Sequence, residues 1–164
     1  MERRLIVLRH AKSAWETEAP SDHERPLNKR GRRDAPRVAE HLSELGWKPD
    51  RVLASDSART RETWELMKPV LGDCGVTFTR ELYLAGVAAV RAQLGPIADT
   101  VRTVLVLGHN PGWEEVVQRL AGVMEPLGTC NAALLTVEAN SWQEALLLDG
   151  CWKLREVVRP KEID

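Results

Sequence analysis

Leu5-Ile6-Val7-Leu8 is a run of four large apolar residues that stops on Arg9-His10. Without the alternation of a half-buried strand, it reads as a strand buried on both faces of a parallel sheet. Such a sheet needs helices on both sides. In open α/β sheets the ligand crevice lies beyond the carboxyl ends of the strands, which is where Arg9 and His10 fall. The design repeats late in the chain, where Val104-Leu105-Val106-Leu107 leads into Gly108-His109-Asn110-Pro111-Gly112. Two buried strands, each delivering a histidine at its exit, are the frame on which the other segments must be placed.

Taken in order, a polar stretch from Glu16 to Pro26 follows the first strand and is too rich in charge and proline for a core element. Asn28 caps a helix running to about Leu45, with Val38, Leu42 and Leu45 on one face and Gly46 as its stop. Pro36 predicts a kink in that helix, or a fresh start capped by Asp34. A second strand spans 51–55, and the helix after it carries Trp64, Met67 and Leu71 inward. Pro69 should kink that helix or end it early. Val76 to Thr79 reads as a third strand, and Val87, Val90 and Leu94 as one face of a helix closed by Gly95-Pro96. After the second histidine-bearing strand, Asn110 is the predicted cap and Pro111 the first residue of a helix burying Val116, Val117 and Leu120. Strands are expected at 132–137 and 153–158, with 141–148 open between helix and strand. The alternation predicts one three-layer α/β/α domain over residues 1–164 with a mostly parallel central sheet.

Composition removes several classes of function. Of 164 residues 43% are hydrophobic and 29% charged, as in a folded globular chain. A formal net charge of −1 gives no general attraction to nucleic acid or anionic membrane. Any basic patch must therefore be local and built for a small anion. Cys74, Cys130 and Cys151 lack CxxC spacing, which points away from a disulfide framework or a zinc ribbon. The apolar run at the start is too short for a signal peptide, and no run reaches membrane-spanning length. A cytoplasmic location is the expectation.

The strand exits deliver Arg9 and His10, then Arg59, then His109 and Asn110 to one edge of the sheet. Guanidinium groups bind phosphate oxygens bidentately and stay charged at any working pH. A helix N-terminus adds free N–H groups. Two arginines, two histidines and a helix start make a site for a dianion. A neutral imidazole can in addition attack phosphorus and form a phosphoenzyme. Neighbouring arginines would keep that imidazole neutral and stabilise charge on the phosphoryl oxygens in transfer. No Walker motif, no GxGxxG and no HxH or HExxH spacing occurs, so neither a nucleotide cradle nor a metal site is indicated.

Leu8-Arg9-His10, Ser55 to Thr60 as Ser-x-x-x-Arg-Thr, and Gly108-His109-Asn110-Pro111 resemble, in that order, the motifs of the histidine phosphatase superfamily, which has a phosphoglycerate mutase-like fold. Arg9-His10-Ala11-Lys12-Ser13, Arg25-Pro26-Leu27, Leu82-Tyr83-Leu84 and Arg159-Pro160-Lys161 are similar to its short SixA-type phosphohistidine phosphatase branch. The resemblance implies that His10 is the nucleophile that becomes phosphorylated. It implies that Arg9 and Arg59 hold the phosphoryl oxygens and that His109 is the second histidine on them. It puts Arg25 near the mouth of the site. Ser13 and Asn110 are candidate phosphate contacts, or else supporting or capping residues, and Trp15, which follows the first motif, either lines the entrance or packs in the core. Glu81, just after the third strand, is the expected general acid.

The implied activity is a phosphatase without metal or other cofactor, acting on phosphohistidine of a phosphorylated protein. Short segments between the motifs leave little chain for a lid, which suits a protruding side chain. The alternatives are a small-molecule phosphomonoesterase or mutase on the same scaffold, and a non-catalytic module that binds phosphorylated partners.

Overall fold

The structure, a computed structural model, describes residues 1–163. The first strand, β1 (Glu2–Arg9), sits inside a six-stranded sheet. Beyond it come α1 (Lys29–Glu44), β2 (Arg51–Ser55), α2 (Ala58–Leu71), β3 (Gly75–Thr79) and α3 (Val87–Leu94). The chain continues through β4 (Thr103–Gly108), α4 (Gly112–Ala121), β5 (Ala132–Glu138), α5 (Trp142–Ala145) and β6 (Lys153–Val158). The strand order is β3-β2-β4-β1-β5-β6. Strands β3, β2, β4 and β1 are parallel, β5 runs against β1, and β6 runs against β5. Only β5 opposes the common direction, in keeping with a mostly parallel sheet. The fold is the three-layer α/β/α sandwich expected from the sequence.

The sheet is covered on both faces, which explains the unbroken apolar runs. Leu5 and Val7 pack with Val90 of α3, Trp113 and Val117 of α4, and Trp142 of α5. Ile6 and Leu8, one step out of phase, pack with Val38 and Leu42 of α1 and Trp64 and Met67 of α2. Every residue of β4 is buried.

Asn28 caps α1 as expected, its side-chain oxygen accepting from Gly31 N at 2.9 Å. The two prolines behave otherwise than predicted. Helix α1 continues through Pro36, and α2 continues through Pro69 as far as Leu71. Each ring removes a donor to the residue four back, Arg32 or Glu65. Both of those residues are exposed, so water can take the freed carbonyl. Asp34 starts nothing. It is buried at the centre of a fan of Arg30, Arg33 and Arg37, each 3.5 Å away. Leu45, predicted on the buried face, is 39% exposed at the helix end. Residues 142–145 form a single helical turn, capped by Ser141 accepting from Glu144 N at 3.0 Å. Among the described residues no helix is long and apolar enough to cross a membrane.

Candidate active site

Because β4 lies between β2 and β1, the carboxyl ends of three neighbouring strands open onto one crevice. Backbone contacts hold the exit of β1. His10 N donates to Gly108 O at 3.1 Å, and Cys130 N donates to His10 O at 2.9 Å. Ala11 N donates to Thr63 Oγ1 of α2 at 3.1 Å. Gly31 lets the first turn of α1 close on this loop, since a Cβ there would lie 2.1 Å from Lys12 O. Gly108 leaves room for the Trp113 ring, which a Cβ would meet at 2.5 Å. Trp113 is thereby a core residue, fully buried with its indole N–H on Val106 O.

The crevice is a cavity of about 300 Å3 lined by Arg9, His10, Ser13, Arg59, His109 and Asn110, among others. His10 Nδ1 lies 2.7 Å from Ala11 O. A carbonyl only accepts, so Nδ1 carries the proton and the Nε2 lone pair is left free. Arg59 Nε donates to that nitrogen at a long 3.4 Å, and Arg59 Nη2 lies 3.3 Å from His109 Nδ1. The far nitrogen of His109 is 2.8 Å from Ser55 Oγ. A hydroxyl can donate or accept, so Ser55 allows His109 to present either a lone pair or an N–H to the cavity. The two imidazole rings are 5.3 Å apart.

Burial, and then the cations of Arg59, Arg9 and Arg25, push the His10 imidazolium pKa down to about 3. Burial, then His10 and Arg59, push His109 down to about 3 as well. Both rings are therefore neutral near pH 7, as a nucleophile requires. The same shifts bear on stability. Between pH 6.5 and about 3 the unfolded chain binds protons that the folded chain refuses, so stability is full above pH 6.5 and falls as pH drops through that window. A His10→Gln variant is expected to lose about 2–3 kcal/mol less stability than the parent between pH 7 and pH 4. Urea unfolding at the two pH values measures this, and equal losses in both proteins would contradict it.

Glu81 is not brought to the site. It is exposed on the 3-10 turn Arg80–Leu82, with only its backbone N–H engaged, on Thr79 Oγ1. The carboxylate in the cavity is Asp22, on the turn Asp22–Glu24 within the polar stretch from Glu16 to Pro26. Asp22 accepts from Arg59 Nη2 at 3.0 Å, from the Tyr83 hydroxyl and from Arg25. Burial alone would raise its pKa, but these donors hold it at about 2, so it is an anion and not a proton donor near pH 7. Arg25 and Trp15 both line the cavity. Arg25 donates to Ser13 Oγ and stacks 3.7 Å over the ring of Trp15, which is 72% exposed. Asn110 does not cap α4, which begins at Gly112 after Pro111. Its amide instead donates to Leu127 O and Glu114 Oε2, tying the loop before β5 to the helix. Ser55, Tyr83 and Asp22 were not assigned roles from sequence. Ser55 and Tyr83 lay inside recognised motifs, whereas Asp22 had no signal beyond its place in the loop after His10.

A central sheet with paired arginines and histidines at its carboxyl edge has the charge and the donors to hold a phosphate-like dianion. Comparison with known proteins specifies the family. A profile of the histidine phosphatase superfamily (branch 1) matches residues 5–83. An uncharacterized chloroplastic protein of Arabidopsis thaliana is 41% identical over 98% of this chain and 79% of its own. A SixA structure from Nakamurella multipartitia superposes with a TM-score of 0.82 at 28% identity, over 98% of this chain and 97% of that one. The protein histidine phosphatase SixA in complex with tungstate gives 0.81 at 25% identity, over 96% and 97%. The chain belongs to the histidine phosphatase superfamily, and it has the SixA fold over its described length.

Proposed function

We propose that this protein is a metal-independent phosphatase that passes the phosphoryl group of protein phosphohistidine through His10 to water. The observation that carries this is the Nε2 lone pair of a neutral His10, met by a long 3.4 Å contact from Arg59 Nε and facing a cavity lined by the cations Arg9, Lys12, Arg25 and Arg59. In the first step Nε2 forms a bond to phosphorus as the P–N bond of the substrate breaks. The substrate ring takes a proton from solvent on its other nitrogen, at a pKa of the order of the ordinary histidine value near 6.5, so that it leaves as neutral imidazole without a dedicated acid. In the second step water attacks the phosphoenzyme, the P–Nε2 bond breaks, and inorganic phosphate leaves. Arg59 and Arg9 answer the charge on the equatorial oxygens, and His109 in its Nδ1–H form adds a donor. The tungstate-bound SixA neighbour holds an oxyanion of tetrahedral type, which supports placing a phosphoryl group here.

The mouth supports a macromolecular substrate. Trp15 and Leu84 line the cavity and are 72% and 58% exposed. The loop carrying Asp22 forms part of one wall. A mutase must exclude water so that phosphate returns to substrate, and exposed residues at the rim of this cavity do not favour that.

The test is a paired assay with chelator present, using a phosphohistidine carrier protein and p-nitrophenyl phosphate. Higher kcat/KM on the carrier protein is expected. Preference for the small ester would move the function to small-molecule phosphatase, and a non-catalytic module would turn over neither.

A further inference from the structure

The cavity that holds His10 does not end at Arg9. A second cavity of about 340 Å3 lies beyond it, and Arg9, Lys12 and Thr129 line both. Its other cations are Arg30, from the first turn of α1, and Arg159 and Lys161 near the C-terminus. Five of its nine lining residues are cationic and none is acidic. This gathering stands out in a chain of net charge −1. Three separated segments bring the charges together, so chain proximity does not explain it. The acids that answer two of them, Asp34 for Arg30 and Glu125 and Glu162 for Arg159, lie outside the cavity wall. Arg9 Nε is buried with no hydrogen-bond partner. Like charges facing one cavity repel, and an anion placed among them relieves the repulsion.

We infer that this groove is a second anion subsite that takes acidic side chains flanking the phosphohistidine of a protein substrate. The inference rests on the phosphatase function proposed above and adds a sequence preference to it. An extended peptide advances about 3.3 Å per residue. Aspartate or glutamate within a few residues of the phosphohistidine therefore reaches the groove while the phosphoryl group faces His10. Lys161 and Arg30 are exposed, so the groove is open to such a chain from solvent. A compact phosphomonoester fills the first cavity alone.

The experiment compares two chemically phosphorylated histidine peptides, one with acidic and one with serine flanks, with p-nitrophenyl phosphate as reference. The parent protein is expected to favour the acidic peptide by roughly tenfold in kcat/KM, expressed in KM, at low salt. High salt should shrink the ratio, because the groove is open to solvent. Lys161→Glu should abolish the preference, and Arg30→Gln should reduce it about threefold, the scale of one exposed charge pair. Equal turnover of the two peptides by the parent overturns the subsite and leaves the phosphatase reading standing. So does a preference that survives in both variants. Hydrolysis of the ester with neither peptide turned over overturns the phosphohistidine reading and the subsite together.

Discussion

His10→Ala is expected to lower turnover of any phosphorylated substrate by a factor on the order of 10^4 or more. The expectation follows from geometry rather than from the residue type. His109 is also a neutral imidazole in the cavity, but its far nitrogen lies 2.8 Å from Ser55 Oγ, a group that can donate or accept, so no backbone carbonyl fixes which of its nitrogens carries the lone pair. His10 is the ring whose protonated nitrogen is fixed on the backbone at Ala11 O, leaving Nε2 as a lone pair toward the cavity. Removing it leaves a phosphate-binding site with no attacking atom. The arginines remain, so the variant should still bind inorganic phosphate, and its thermal unfolding at pH 7 should stay cooperative. Two readouts check the mechanism: initial rates, and an acid-labile phosphoryl group on the His10 peptide of the parent protein. Activity within tenfold of the parent in the alanine variant would move the nucleophile to His109 or to water.

What the sequence made legible, and what it did not, divides by the range of the interactions involved. Strands β1 and β4 could be read directly because burial on both faces leaves four consecutive apolar residues. Arg9, His10, Arg59 and His109 could be placed together because each follows a strand, and parallel strands end on one edge. Pro36 and Pro69 misled because the local rule counts a lost hydrogen bond without knowing that the freed carbonyl belongs to an exposed residue. Leu45 had the right spacing but fell past the last buried turn. Glu81 and Asp22 show the harder limit. Both are carboxylates in charged surroundings, and nothing local distinguishes them. Asp22 enters the cavity through Arg59, 37 positions away, and through Tyr83, 61 positions away. Those pairings exist only once the loop is folded over the sheet edge.

Arg59→Lys is the second large effect, expected to reduce kcat/KM by roughly 10^2–10^3 although the charge is kept. Arg59 is 3% exposed, and its guanidinium touches four groups at once: His10 Nε2, His109 Nδ1, the carbonyl of Asp22 and the carboxylate of Asp22. A planar fork can direct separate N–H groups to the nucleophile, the second histidine and an oxyanion, whereas one ammonium on a flexible stem cannot. The Asp22 carboxylate lies where it answers the Arg59 charge in the ligand-free site, so an arriving phosphoryl group shares or takes over that cation. Lysine would still attract the dianion, so binding of inorganic phosphate should weaken less than kcat falls. That split separates orientation from charge. A variant that loses phosphate affinity and kcat in equal proportion would show that Arg59 serves as a simple counter-ion. One that keeps near-parental kcat would assign the transfer to Arg9 alone, whose Nη1 is committed to Leu127 O at 3.0 Å.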